Sequence, residues 1–579
     1  MSELSDLLGE PLRSARGLDN LPAACQPALL FLRAAAEPRE LIAVLHAARE
    51  EVLATGRAPR PASPAGGPHR VAILADDVAD LAEKLATAAE RLATFKGRRL
   101  ALRSCIYYGR GEPEAGGKTA FLFPGQGSQY TGMLAELCLV LPRVRHWFED
   151  LDASLAGLPI PAPSLLAFPP ASGLTGEQRA ALHRELYEMR GGAQLGLVAN
   201  LALHEIVIDL GLRPDMTIGH SNGEHAALFA SGAFRAERGE LFSSMRRMVE
   251  LAISLPPPAK PEAVLTVGMR DRSRLEEVLA AEAGELFYSM INCPSQCVLA
   301  GSAAAVERAA QRLSKEGGIV VPLPLGRAYH TPFFAAWGRF LRQLYEETEA
   351  RAPRIPVYTS MTGALYPDEP ERIRDLAAEQ WANPVDFERA VHRLYEDGAR
   401  LFIEIGPDNK MKGFVDDILR GKEHLAVSTS NSRHPALQQL YRMVGELFVY
   451  GVELDFGSPT WRALERAQGG AGLPAVAEAL EALGRADREP LPVEDGEGFP
   501  SPGEDPRLAI VQGHFTLMQQ FLESQGRVFG LVSASPEPGV ALPPRRARAA
   551  GPSAGPPTIW PLLGEDIRCA DGHLEAERR

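Results

Sequence analysis

Six cysteines in 579 residues are too few and too scattered for a disulfide framework. They are Cys25, Cys105, Cys138, Cys293, Cys297 and Cys569; only Cys293 and Cys297 lie close, without the Cys-x-x-Cys spacing or histidine companions of a zinc site. Reduced structural thiols and no metal site are expected. No run of about 18 apolar residues occurs. The start, MSELSDLLGEPLRSARG, has no basic region ahead of an apolar stretch. A cytoplasmic chain without a membrane partner is therefore expected. Positive charge is in deficit: Lys+Arg 61 against Asp+Glu 74 gives −13, and no basic block is interleaved with aromatics, which argues against nucleic acid as a partner. No internal repeat is found.

What is present is a globular balance, 45% apolar and 23% charged residues. At about 150 residues per domain the length allows roughly four units. Apolar residues at helical spacing in 26–53 (Leu29, Leu30, Leu32, then Leu41, Ile42, Leu45) predict opening helices. After the breaker RAPRPASPAGGPH, the pattern VAILADD, VADLAEKLATAAERLATF, RLALRSCIYY reads as strand, helix, strand, a small α/β adaptor. From Thr119 strand, turn and helix repeat, as in a doubly wound parallel sheet of α/β-hydrolase-like type. Residues 262–323 carry a β-α-β-β-α-β pattern that fits an inserted ferredoxin-like subdomain. Beyond a helix at 437–451, Gly/Pro/acid-rich and Pro/Ala/Arg-rich tethers fill 466–560 around one amphipathic helix, 513–532.

The strongest chemical signal is Gly219-His220-Ser221-Asn222-Gly223, a GxSxG between an apolar strand and a helix. Small flanking residues permit a tight turn that exposes the serine hydroxyl, and the helix start with the Asn222 N–H faces a developing oxyanion. The second signal is FLFPGQGSQYTGM (121–133), a glycine-rich turn directly after another apolar strand. Its spacing is not GxGxxG, and the nearest P-loop candidate, ending in Gly117-Lys118-Thr119, has Glu112 where a glycine is required. A better use of the turn is to bring Gln126 to the serine as the second half of an oxyanion hole.

FPGQGSQ, GHSNGE, Arg246, AYHTPFF, WANPVDF and FIEIGP, in that order, resemble the malonyl-CoA:acyl carrier protein transacylase family, and more closely the acyltransferase domains of type I polyketide synthases. The resemblance spans 118–430. Residues 1–117 resemble the ketosynthase-to-acyltransferase linker region, 431–465 (with GVELDF) a post-acyltransferase linker, and 561–579 the first strands of a dehydratase domain. It thus implies a piece of a larger synthase, with neighbouring ketosynthase and dehydratase domains and an acyl carrier protein as partners.

The same resemblance implies Ser221 as nucleophile and His330 as general base, with the Asn383 backbone carbonyl orienting the imidazole. Gln126 and the Asn222 N–H would hold the oxyanion. Arg246, 25 residues after the serine, would face the carboxylate of a dicarboxylic acyl group, which a planar guanidinium can grip with two parallel hydrogen bonds. Gln194 would line the pocket. Tyr329, bulky beside His330, favours malonyl over methylmalonyl. No bound cofactor is implied: the substrates are malonyl-CoA and the phosphopantetheine thiol of the carrier protein. His220 and Glu224 read as structural partners of the nucleophile.

Three alternatives stand beside this reading. An α/β-hydrolase or patatin-like lipase (through Asp397-Gly398-Ala399) would hydrolyse esters, but the FPGQGSQ turn has no place in the first and a helix end explains the Asp-Gly-Ala. A proofreading acyl hydrolase could be built on the same domain. A non-catalytic scaffold would use the tethers alone and would not need an intact Ser–His pair.

Overall fold

The computed structural model describes residues 7–8, 12, 15–22, 25–26, 28–59, 67–111 and 117–468, with the backbone of 566–570 and 573–577. The predicted helix 513–532 lies outside the described residues. Of the segment 561–579, the described backbone forms two antiparallel strands, Asp566–Ala570 and His573–Glu577.

The first unit is strand Leu29–Ala35 (β1), helix Pro38–Thr55 (α1), strand His69–Ala75 (β2), helix Val78–Thr94 (α2), and the hairpin Arg99–Leu102 (β3) and Ile106–Gly109 (β4). They form an antiparallel sheet of order β1-β2-β4-β3. The helix expected to begin before Leu29 is instead β1. Four consecutive apolar residues look alike in a helix and in a strand buried on both faces, and here both faces are buried. Leu29 and Phe31 pack with Leu41, Leu45, Leu81 and Leu85 under the two helices, while Leu30 and Leu32 turn towards the rest of the chain.

The second sheet is built from strands Lys118–Phe123 (β5), Met216–Gly219 (β6), Val357–Tyr358, Ala399–Glu404 and Leu425–Ser428. Before Val357–Tyr358, the chain forms helices Pro142–Leu155 (α3), Gly192–Asp209 (α4), Gly223–Ser231 (α5) and Arg238–Ser254 (α6). It then makes an excursion: Glu262–Gly268 (β7), Arg272–Ala281 (α7), Leu286–Cys293 (β8), Gln296–Ser302 (β9), Ala303–Lys315 (α8) and Ile319–Leu323 (β10). Helix Ala335–Tyr345 (α9) leads back to Val357–Tyr358 (β11), and Val385–Asp386 (β12) precedes Ala399–Glu404 (β13), Lys410–Ile418 (α10) and Leu425–Ser428 (β14). The large sheet is parallel throughout, order β11-β6-β5-β13-β14. Ala120 to Phe123 are fully buried in its centre, because helices cover both faces. The carboxyl ends of β5, β6 and β13 carry the FPGQG, GHSNG and GPDN turns, where a parallel α/β sheet places its ligands.

The excursion has its own core around Leu265, Val267, Leu275, Leu299 and Leu313. Its sheet runs β10-β7-β9-β8-β12, antiparallel except at the last pair. That last strand, β12, comes from the WANPVDF segment and pairs Val385 with Met290, so one motif joins the excursion to the main body. Helix Ala436–Tyr450 (α11) follows, and a short helix, Pro459–Ala467, comes after it. The buried residues of α11, among them Leu440, Val444 and Phe448, share one cluster with Leu30, Leu32, Ala72 and Leu74 of the first sheet and with the large-sheet core. A Cβ on Gly445 would stand 3.1 Å from that of Ala72, so glycine permits the close approach. No helix among the described residues is long and apolar enough to cross a membrane.

Candidate active site

Strand β6 ends at Gly219 and α5 begins at Gly223, leaving three residues for the reversal. Ser221, at its tip, has φ 54°, a left-handed conformation that costs a non-glycine residue energy and is kept where surroundings enforce it. The surroundings are backbone. A Cβ on Gly219 would meet the Glu224 nitrogen at 2.1 Å, and one on Gly223 the Phe123 carbonyl oxygen at 2.0 Å. The two glycines of GxSxG are therefore steric requirements of this turn.

Ser221 Oγ lies 2.5 Å from His330 Nε2. His330 is wholly buried and itself has φ 59°. Its Nδ1 faces the Gln380 carbonyl oxygen at 2.8 Å. A carbonyl can only accept, so Nδ1 carries the proton and Nε2 presents its lone pair to the serine. This corrects the expected orienting residue. Gln380 belongs to a 3-10 turn whose carbonyl points inward, also accepting from the Asn383 N–H at 3.3 Å; the Asn383 backbone contributes to His330 only as a smaller effect. Burial pulls the His330 pKa down to about 4, opposed by the Gln380 carbonyl and reinforced by neighbouring His220. The imidazole is thus neutral, as a proton acceptor must be. Its ring stacks on Trp381, centroids 5.6 Å apart with planes 10° apart.

His220 and Glu224 act as struts. His220 Nε2 lies 2.8 Å from Asn292 Oδ1 on β8, and Asn292 in turn donates to Gln296 Oε1 at 3.0 Å, so the amide oxygen is left to accept from His220. Glu224 is fully buried and accepts from Ser360 Oγ at 2.9 Å and from the Tyr366 hydroxyl. Burial pushes its carboxyl up to about 7 against these hydrogen bonds.

The FPGQG turn presses on the elbow. A Cβ on Gly125 would meet the His220 carbonyl oxygen at 2.3 Å and Ser221 Cβ at 3.0 Å. Asn200 Nδ2 donates to the Pro124 carbonyl at 2.9 Å and Lys410 Nζ to the Gly127 carbonyl at 2.6 Å, fixing the turn from both sides. The Gln126 side chain is held by other partners: its Nε2 donates to the Tyr187 carbonyl at 2.5 Å, and it hydrogen-bonds the Tyr329 side chain. Neither the Gln126 nor the Asn222 backbone N–H has a hydrogen-bond partner among the described residues.

Asn222 Nδ2 donates to the Ala193 carbonyl at 3.1 Å, tying the elbow to the first turn of α4. Gln194, next along, is buried with its Oε1 unpartnered among the described residues. Tyr329 is buried against Phe334 in an edge-on contact at 4.9 Å, and its carbonyl accepts from Ser289 Oγ. Arg246 is not brought to the Ser–His pair. On α6, its Nε donates to Glu250 at 2.8 Å and its Nη1 to the carbonyls of Ser154 and Ala156 at 2.7 and 3.0 Å. Those carbonyls end α3, where backbone acceptors have no partner inside the helix and attract a guanidinium. Asp397 is also apart, its carboxylate taken by Tyr358 and Arg393.

Sequence reasoning missed Gln380, Trp381, Asn292, Asn200 and Lys410. Gln380 adjoins WANPVDF and Trp381 opens it, so the motif marked the place without marking the residues. Asn292 carried no signal.

Comparison with known proteins agrees with this geometry. Residues 120–453 match the family model described as an acyl transferase domain. The malonyl CoA-acyl carrier protein transacylase of Bacillus subtilis is 30% identical over 329 residues, 56% of this chain and 97% of that protein. The type I polyketide synthase Pks15/1 of phenolphthiocerol synthesis in Mycobacterium marinum is 27% identical over 348 residues, 60% of this chain but only 16% of that much longer protein. Among solved structures, the acyltransferase domain of the second module of the salinomycin polyketide synthase superposes with a TM-score of 0.53 at 25% identity, covering 67% of this chain and 84% of that one. The module 8 domain gives 0.59 at 20% identity, covering 75% and 98%, which speaks for the fold. A family match over more than half of the chain, around a serine bonded to a neutral histidine on a strained turn, makes this protein a member of the acyl transferase domain family and an acyltransferase.

Proposed function

We propose that this protein transfers a malonyl group from coenzyme A, through an ester on Ser221, to the phosphopantetheine thiol of an acyl carrier protein. The observation that carries the reading is the 2.5 Å contact between Ser221 Oγ and the unprotonated Nε2 of His330. His330 takes the serine proton as Oγ attacks the thioester carbonyl, and the oxyanion that forms is held by the N–H groups of Gln126 and Asn222. His330 then returns the proton to the departing coenzyme A thiol. The carrier thiol enters, the steps run in reverse, and the acyl group leaves as a thioester. Thioester, ester and thioester are close in energy, so the cycle needs no nucleotide, and it is ping-pong.

Malonyl is favoured by the likeness to the B. subtilis malonyl transacylase, and by the bulk of Tyr329, buried next to His330 in the chain. Arg246 would have to exchange its present partners for the substrate carboxylate. The ion pair with Glu250 is weak, an exposed i,i+4 pair contributing about 0.3–0.5 kcal/mol, and a bidentate carboxylate would also replace the two carbonyl hydrogen bonds. Gln194 and Asn222 would line and brace the pocket. For the finer fold, strands β7 to β10 of the excursion lie in order 4-1-3-2 counted along it, which supports the ferredoxin-like reading; the parallel sheet with its serine elbow supports a hydrolase-like core. The boundaries 1–117, 118–430 and 431–465, neighbouring ketosynthase and dehydratase domains, and a cytoplasmic setting are proposed with it. The support for neighbouring domains is that matched synthases are several times longer than this chain.

Intact-protein mass spectrometry after brief exposure to malonyl-, methylmalonyl- and acetyl-CoA tests the proposal. A malonyl adduct absent in Ser221→Ala and selectively reduced in Arg246→Ala is expected. Steady release of coenzyme A without any adduct would point to hydrolysis instead, and neither adduct nor release to a scaffold.

A further inference from the structure

The acid component of a Ser–His–Asp triad stabilises the imidazolium that forms when histidine takes the serine proton. Here that place is held by a neutral carbonyl, Gln380, and the groups acting on His330 include no carboxylate: burial, the Gln380 and Asn383 backbones and His220 account for its state. The cation would form in a fully buried site with only a dipole to meet it. The ring face, however, is covered. The Trp381 indole lies parallel to the imidazole at 5.6 Å between centroids, within the range over which an aromatic face attracts a cation. Trp381 is itself immobilised, 2% exposed and boxed by His225, Phe334 and Trp337 at 6.1, 6.2 and 6.4 Å. Its carbonyl accepts the His330 backbone N–H at 3.1 Å, so the stack and the left-handed His330 backbone are set by the same residue.

We propose that Trp381 is an electrostatic positioning residue whose π face stabilises the transient His330 imidazolium, in place of a triad carboxylate. The proposal rests on His330 acting as the base. At rest the imidazole is neutral and gains little from the indole. The attraction appears as the proton arrives, so it favours the transition state over the ground state and raises the rate without tightening substrate binding. The other titratable groups around the stack are His220 and His225 on the elbow and its helix, Tyr345 on α9, whose hydroxyl meets His225 Nε2, and Glu224 beneath. Burial holds the two histidines neutral and pushes the Glu224 carboxyl up to about 7.

The test measures the single-turnover acylation rate with malonyl-CoA in the full chain. Trp381→Leu is expected to lower the rate about 5- to 30-fold at unchanged KM, and Trp381→Phe to recover most of it. Replacing the five tryptophans by 5-fluoro- and 5,7-difluorotryptophan weakens the π face with little change of shape. The rate should fall stepwise with fluorination in the wild type and stay flat in the Trp381→Leu background. A wild-type rate indifferent to fluorination, or a Leu variant as fast as wild type, would overturn the inference. His330→Ala separates the two readings: if it acylates normally, the base assignment itself is wrong; if it is dead while fluorination has no effect, only the role of Trp381 falls.

Discussion

Replacing Glu224 by glutamine should make the protein more resistant to alkaline conditions. The carboxyl is fully buried three residues after the nucleophile, held by Ser360 and Tyr366, and burial moves its pKa from 4.5 to about 7. A pKa raised in the folded state means that the unfolded chain releases this proton first. The stabilising contribution is therefore complete below about pH 4.5 and lost as pH rises through about 7. At about 1.4 kcal/mol per tenfold, the gap between the two values corresponds to roughly 3 kcal/mol. Glutamine keeps the shape and an acceptor oxygen and cannot ionise. Urea unfolding at pH 5, 6.5 and 8.5 reads the effect as a difference between the two proteins, which cancels every other titrating group, including Glu404, similarly pushed up to about 8 by burial. The variant's advantage should be less than about 1 kcal/mol at pH 5 and of order 3 kcal/mol at pH 8.5. Parallel stability curves across this range would refute the reasoning.

The remaining expectations are simpler. With His330 held at about 4 by burial, acylation should persist at pH 5.5, where a free histidine is mostly protonated, and fall only as pH drops through about 4; an acid limb centred at 6.5 in a pH–rate profile would contradict the burial. Gly223→Ala places a Cβ 2.0 Å from the Phe123 carbonyl, so it should cost at least about 1–3 kcal/mol in chemical denaturation and abolish the malonyl adduct. Asn222→Leu removes the hydrogen bond to Ala193 and should lower stability by about 1 kcal/mol, read in the same experiment. Glu250→Ala frees the Arg246 Nε and should change stability by less than about 0.5 kcal/mol, while KM for malonyl-CoA falls or stays the same; a rise in KM would mean that Glu250 presents the guanidinium and does not detain it.

What the sequence made legible were features that one local segment specifies. The strand before Ser221 and the helix after it follow from apolar runs and small residues, and the pairing of Ser221 with His330 follows from the family resemblance that the ordered motifs carry. The failures share a cause. Leu29 to Leu32 could not be assigned because a strand covered on both faces shows no alternation, and its second cover, α11, lies some 400 residues away. The Gln380 carbonyl could not be separated from that of Asn383 because backbone atoms carry no residue signature; only the 3-10 turn decides which one faces the imidazole. Arg246 is correctly placed on its helix, yet where a long side chain points depends on competing acceptors at the end of α3.

Helix α11 packs against two sheets at once, and this bears on any transplant of the domain between assembly lines. One side of the helix completes the core behind the parallel sheet, and another covers Leu30, Leu32, Ala72 and Leu74 of the first unit. A graft whose ends were chosen by the catalytic motifs alone, from Lys118 to Ser430, would sever that helix and leave both surfaces bare. Grafts that carry 7–468 as one block keep the buried residues from Leu8 to Ala467 with their native cover, so a swap of substrate preference by exchange of this region should succeed or fail at those outer seams before any pocket residue matters.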